Sequence, residues 1–476
     1  MDRRRFVKSV GCAGTLAAAT QLPAGASCMD EMMRLSQNRP SAHGMGYVVL
    51  DKDKSFAEQV TQENTIYEIR YDFELGGKMV PIPQGCVLKF EGGCLGNGSL
   101  NSNNTFIEAS DDACIFIDVN LFGLFLNDYV SACWFGAKNS YYKNISEKKV
   151  ELGRNDCCPA IKSALLTSFK KIYFPKGAWY VSNTITLNKE VEFLLSGKSD
   201  ATPLNYKASS IGFDLNEACI FTDKDISLIT TSENLDSSLR LVISGGSFDV
   251  SLIKSYTNAV IHLKSNCKLW GIEINTAVLG KLNSINDGIG LYFDAIVSTG
   301  YLSYIRTNCI VKYFGTGIKV KGTETQSPSW ITDFVDRSEI VSCRQSLYIE
   351  YCEEAFIEGH YQQTYLFEEE NNDVAGVYLK TRFATINCTV WDCNLRGGND
   401  LPPLYANKWT NRYAFELDAA FWGDYDNYTF LGNSMRYVNN GLVKDHTNML
   451  SDLSKYQAFN RSRNTQKGIQ IRTTGL

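Results

Sequence analysis

Six short segments between residues 259 and 446 repeat one hydrophobic pattern, apolar-x-apolar behind a mostly small residue. They are Val260-Ile261-His262-Leu263, Gly290-Leu291-Tyr292-Phe293, Gly317-Ile318-Lys319-Val320, Ser346-Leu347-Tyr348-Ile349, Gly376-Val377-Tyr378-Leu379 and Ala414-Phe415-Glu416-Leu417. The steps between their first apolar residues are 30, 27, 29, 30 and 38. Period-two alternation makes each segment a strand with one face inward. Recurrence at a near-fixed spacing makes the whole a solenoid. A second motif, Asn-Cys-x-apolar, appears at Asn266-Cys267, Asn308-Cys309 and Asn387-Cys388, and two copies end in Trp270 and Trp391. At least two strands per repeat are therefore expected, each stacking on its own copies as parallel strands about 4.8 Å apart. The fold class is all-β, a single-stranded parallel β-helix. Helical repeats need apolar spacings of three and four, and propeller blades carry four strands over longer periods.

The register then sorts the outward positions. One place after the first apolar residue come His262, Tyr292, Lys319, Tyr348, Tyr378 and Glu416; three places after it come Lys264, Asp294, Lys321, Glu350, Lys380 and Asp418. The first column is rich in tyrosine, and the second alternates in sign at every rung. Two readings fit. One is a solvated face whose charges pair across rungs, each exposed pair contributing about 0–1 kcal/mol. The other is a stripe lining an extended ligand, about 24 Å long over six rungs. A polysaccharide or oligosaccharide suits such a ladder, with Tyr292, Tyr348, Tyr378, His262, Lys319, Lys380, Trp270 and Trp391 as substrate-binding positions.

Composition narrows the picture. The chain has 476 residues, a net charge of −5, 25 Tyr, 25 Phe, 37 Gly and 10 Pro. That is strand-and-turn composition, with no basic surface to suggest nucleic acid. Fifteen cysteines are present. Alternation turns Cys267, Cys309 and Cys388 inward, so stacked free thiols in the core are favoured over disulfides, which an exported protein also permits. With four His and no C-x-x-C pair, no metal site is expected.

Arg3-Arg4-Arg5-Phe6-Val7-Lys8 resembles the twin-arginine export signal, with Asp2 in place of the usual Ser or Thr. A short Ala-rich run and Ala24-Gly25-Ala26, an A-x-A cleavage site, complete a signal peptide over residues 1–26. The apolar run is too short for a membrane span. A lipidated Cys28 is the alternative, but Gly25-Ala26-Ser27 before it lack the usual aliphatic residue. Soluble export, to the periplasm or to the cell surface or extracellular space, is the expectation. Residues 27–60 read as a linker, 61–130 as a β-rich prefix, 131–450 as the β-helix and 451–476 as a tail.

Asp156 is placed to cap a short helix, near 156–169, whose apolar face is Ile161, Leu165 and Phe169. Trp134-Phe135-Gly136-Ala137-Lys138, then Asn155-Asp156-Cys157-Cys158-Pro159-Ala160-Ile161, then Ile172-Tyr173-Phe174-Pro175-Lys176-Gly177 and a strand ending in Gly197 follow one another. This order resembles the opening of the pectate-lyase-like superfamily, which includes polysaccharide lyases, polygalacturonase-like hydrolases and phage tailspikes. The resemblance spans residues 134–197 by motif and the rest by repeat pattern. It implies a right-handed parallel β-helix whose N-terminal end is plugged by the helix. It does not fix an activity, since the fold hosts several and some bare scaffolds.

Glycoside hydrolysis needs two carboxyls about 5–9.5 Å apart. Carboxyls one or two rungs apart approach that range. Asp294, Glu350 and Asp418 are the catalytic candidates, with Lys321 between the first two to neutralise a uronate or act as a base. A β-elimination would bring in calcium, although no ligand set is evident; otherwise no cofactor is implied. Two further charged clusters are Asp333, Asp336, Arg337, Glu339 and Arg344, and Glu353, Glu354, Glu358 and His360. Glu358-Gly359-His360 resembles part of the glycine-histidine-glycine motif of polygalacturonases, but Tyr361 replaces the second glycine. That family's paired-aspartate and arginine-x-lysine motifs are missing. The expected function is therefore binding and cleavage of a polysaccharide along the tyrosine and charged stripe, or glycan binding without catalysis.

Overall fold

In the computed structural model the described residues are 44–144, 149–167, 169, 171–187, 210–232, 238–264, 268–281, 287–295, 301–323, 330–363, 375–392, 415–418, 427–430, 434–436, 442–445, 461–463 and 470–473. The signal-peptide residues, Cys28 and Cys267 lie outside them. Among the described residues from 171 onward, the strands form a parallel β-helix with three strands per turn. The first sheet stacks Ile185–Leu187, Ile229–Thr231, Ala259–Lys264, Ile289–Asp294, Thr316–Lys321, residues 345–350 and 377–380, Phe415–Leu417, Leu442–Asp445 and Gln470–Thr473. The second includes residues 240–244 and 268–274, Tyr301–Thr307, Trp330–Asp336 and residues 355–357 and 383–386. The third includes Ile310–Lys312, Glu339–Cys343, His360–Gln363 and Thr389–Asp392.

The sequence repeat is the register of the first sheet. Ile261 pairs with Leu291, Leu291 with Ile318, Ile318 with Leu347, Leu347 with Val377 and Val377 with Phe415. These residues are fully buried, each favouring folding by about 1.5–3 kcal/mol through burial. A one-residue slip would turn all of them to solvent, so the register is strongly specified.

The glycines that open two of the repeats, Gly290 and Gly317, have a steric cause. A Cβ on Gly317 would stand 2.3 Å from Ile340 Cγ2 and 2.6 Å from the Ser346 carbonyl oxygen. Ile340 is fully buried and has nowhere to retreat. Gly317→Ala is expected to cost about 1–3 kcal/mol by overpacking, read as a lower urea midpoint. An unchanged midpoint would mean that this corner is loosely packed.

The Asn-Cys motif divides in the structure. Asn308-Cys309 and Asn387-Cys388 precede third-sheet strands, whereas Lys268-Leu269-Trp270 opens a second-sheet strand. Cys309 and Cys388 are buried, but they do not stack on each other. Ser338 and Gly359 occupy the intervening rungs, since Ile310 pairs with Glu339, Glu339 with His360 and His360 with Thr389. Burial pushes the Cys309, Cys343 and Cys352 thiols up to about 12, leaving them inert core residues.

Parallel pairing begins earlier than the composition of residues 27–60 suggests. Gly46–Val49 pairs with Thr65–Ile69, and Leu50, Phe56 and Val60 are buried, so residues 44–60 are not an open linker. Thr65–Ile69, Val87–Phe90 and Leu95–Glu108 continue the parallel pairing, and one core cluster runs from Leu50 to Leu417. The helix expected near 156–169 is shorter, Cys158–Leu165, with Cys157 rather than Asp156 at its N-cap and Phe169 beyond its end. The Cys158 N–H donates to Asp156 Oδ1 at 3.2 Å, and Ile161, Leu165 and Phe169 are buried. Phe169 stacks on Phe125 at 5.2 Å. The helix thus lies at the join between the N-terminal strands and the main coil rather than over a bare end. Among the described residues no helix is long and apolar enough to cross a membrane.

Candidate functional site

The two outward columns lie side by side on the first sheet. His262, Tyr292, Lys319, Tyr348, Tyr378 and Glu416 are consecutive partners, as are Lys264, Asp294, Lys321, Glu350 and Lys380. Asp418 continues the second column, its N–H donating to the Leu379 carbonyl at 2.8 Å. Trp270 is on the second sheet and Trp391 on the third, so neither belongs to this face.

The rings of the first column face one another. His262 stacks on Tyr292 at 4.6 Å and Tyr348 on Tyr378 at 4.8 Å, each pair within 15° of parallel. The Lys319 ammonium fills the gap between the pairs, 5.2 Å from the Tyr292 centroid and 5.5 Å from that of Tyr348. Parallel β-strand spacing dictates this, since rings one rung apart are already near stacking distance. Solvent therefore meets ring edges and hydroxyls, while the flat faces of Tyr292 and Tyr348 are covered.

The second column ties into the first. His262 Nε2 lies 3.2 Å from Asp294 Oδ2. Tyr348 Oη donates to Glu350 Oε2 at 2.8 Å, and Lys321 Nζ lies 3.7 Å from the same oxygen. Tyr378 Oη donates to Asp418 Oδ2 at 3.1 Å, with Lys380 Nζ at 3.8 Å. Glu350 is only 16% exposed. Burial, joined by the neighbouring carboxylates, pushes the Tyr292, Tyr348 and Tyr378 phenols up. They remain protonated donors throughout the neutral range.

The lysines are not equivalent. Burial, reinforced by Lys321, pushes the Lys319 ammonium below its ordinary value against the pull of Asp294 and Glu350. For Lys380, burial acts in the same sense but is outweighed by Tyr351 and Asp418, which hold it above its ordinary value. Of these two lysines, only Lys319 is held below its ordinary value, the direction that base chemistry needs.

Tyr351 was not evident as a neighbour of this face. Its φ is +58°, and its ring lies 4.8 Å from Lys380 Nζ. It directly follows Glu350, but a turn that swings its ring back toward Lys380 leaves no signature in hydrophobic alternation.

The other charged clusters disperse. Arg337 pairs with Glu358 at 2.7 Å, Arg382 with Glu353 at 3.0 Å and Arg344 with Asp287 at 3.2 Å. Asp336 is fully buried instead of facing a ligand. Thr307 Oγ1 donates to it at 2.6 Å, the Ser338 N–H at 3.2 Å, and Tyr361 Oη also donates to it. The residue that departs from the polygalacturonase motif thus has a core role. A Cβ on Gly359 would stand 2.7 Å from Tyr361 Oη, so Gly359 also serves that packing.

Among the described residues, no group of three or more His, Cys, Asp or Glu side chains is gathered to hold a metal. The columns explain why on this face: Lys321 separates Asp294 from Glu350, and Lys380 separates Glu350 from Asp418. A calcium ion does not fit such an alternation. In comparisons with known proteins, no family model, no curated protein and no solved structure matches this chain.

Proposed function

We propose that this chain is an exported carbohydrate-active β-helix that binds a polysaccharide along the outer face of the first sheet and cleaves it there. The carrying observation is Lys319, held between Tyr292 and Tyr348 beside Asp294, Lys321 and Glu350. Glu350 is the acid–base group, with Asp294 and Asp418 as the second carboxylate on either side. Lys319 is the base in a β-elimination, and Lys321 neutralises a uronate. His262, Tyr292, Tyr348, Tyr378 and Lys380 hydrogen-bond sugar hydroxyls through edges and tips. The sequence resemblance to the pectate-lyase-like superfamily and the parallel coil support this reading as analogy of fold.

A second reading, glycan binding without turnover, draws support from the engagement of the acids. Asp294, Glu350 and Asp418 each touch a neighbouring His, Tyr or Lys. Incubation with a panel of neutral and acidic polysaccharides separates the two. New reducing ends indicate hydrolysis, and unsaturated uronates indicate elimination. Retention without product on any member supports the binder. Export is tested by fractionating cells that express the chain with Arg3→Lys and Arg4→Lys together, which is expected to strand it in the cytoplasm.

A further inference from the structure

The stacked ladder creates a difficulty for saccharide recognition. Sugars commonly rest an apolar ring face on an aromatic plane, yet Tyr292 and Tyr348 have both planes covered. Open aromatic surface lies one sheet round. Trp270 and Tyr304 are 41% and 43% exposed, and their rings meet edge to face at 5.3 Å. They occupy the same two turns of the coil as His262 and Tyr292, since Trp270 pairs with Ser303 just as His262 pairs with Tyr292.

Tyr304 is also held in a backbone conformation unsuited to it. Its φ is +53°, and the register sets it between Gly271 at +73° and Asp333 at +53°. Gly and Asp are residues that accept the left-handed region. A tyrosine there is strained, because its Cβ crowds the following carbonyl, and an exposed ring recovers little of that by burial. An exposed, strained aromatic beside a second exposed aromatic points to a surface task rather than to folding.

The surroundings define the ligand. Arg240 Nη2 lies 2.6 Å from Glu273 Oε1, and Arg240 runs over Gly271, next to Trp270. Arg306 is the exposed register partner of Glu273. Thr332 Oγ1 donates to the Asp333 carboxylate, in the rung beside Tyr304. A narrow apolar plane ringed by donors and acceptors of both signs matches a molecule with one apolar face and a hydroxylated rim. We propose that Trp270 and Tyr304 form a second saccharide platform that takes a pyranose ring face, with Arg240, Glu273, Arg306 and Asp333 meeting its hydroxyls. This rests on the carbohydrate reading of the chain and adds a site separate from the ladder.

Binding is to be measured by calorimetry in a Glu350→Gln background, which suppresses turnover at the ladder, using cellohexaose, mannohexaose, xylohexaose and tetragalacturonate. At least one should bind, and adding Trp270→Ala or Tyr304→Gly should weaken it tenfold or more. Tyr304→Gly should at the same time raise the melting temperature, because it relieves the positive φ. That rise separates a lost contact from a damaged fold. Affinities unaltered by both changes, or no binding by any of the four, would overturn the platform. So would a wild-type dimer that Trp270→Ala converts to monomer in sedimentation, which would make the patch a protein interface. Product formation by the wild type tests the ladder, and the affinity lost on adding Trp270→Ala or Tyr304→Gly, measured against Glu350→Gln alone, tests the platform, so the two readings fail separately.

Discussion

Glu350→Gln is expected to slow polysaccharide cleavage about a thousandfold while leaving the fold intact. Glutamine retains the shape and an oxygen that accepts the Tyr348 hydroxyl, now 2.8 Å from the carboxylate. It loses the charge facing Lys321 at 3.7 Å and the capacity to carry a proton. Acid–base groups contribute roughly 10²–10⁴ in rate, so the loss should appear in kcat and kcat/KM together. The partial exposure of the lysine makes its ion pair a small stability contribution. The melting temperature should therefore barely move. Unchanged turnover would place the chemistry elsewhere on the molecule.

Asp336→Ala is expected to be the most damaging of the substitutions to stability. It leaves the Thr307 hydroxyl, the Ser338 N–H and the Tyr361 hydroxyl facing an apolar gap in the core. Each orphaned buried donor costs about 1–3 kcal/mol, enough together to unfold the turns that carry residues 307–361. Asp336→Asn keeps an acceptor and should be milder. Its pH dependence has a definite sign. Burial raises the Asp336 carboxyl above its ordinary value, against Ser338, Thr307 and Tyr361. A raised folded value means that the wild type gains most from the neutral acid below about pH 4 and loses that gain as pH rises toward the folded value. The deficit of Asp336→Asn relative to wild type, read from urea midpoints, should shrink between pH 4 and pH 8. A deficit that grows over this range would mean that the three donors hold the carboxylate ionised.

The first sheet was legible because its rule is simple. Inward positions must be apolar and recur once per turn, so Ile261, Leu291, Ile318, Leu347, Val377 and Phe415 announce their own pairing. The third strand of each turn was not, because it is short and begins at corners where Asn, Ser and Gly interchange. Asp336 reads as one more charge in a polar cluster until its column is known. That column runs Ile274, Thr307, Asp336, Ile357, Ile386, and a carboxylate in such company must be buried and bonded. The column of tyrosines was visible in sequence. What those rings face was not, since ring orientation follows from the neighbours one rung away. Trp270 and Trp391 share a local motif yet occupy different sheets.

The most direct measurement is the crystal structure of Glu350→Gln bound to the longest oligosaccharide that the wild-type protein releases. The sugar chain is expected to run parallel to the coil axis across Tyr292, Lys319, Tyr348 and Tyr378, with a glycosidic oxygen within hydrogen-bond reach of residue 350. Density for that chain on another face alone, with the tyrosine column bare, would contradict the assignment of the first sheet as the working surface.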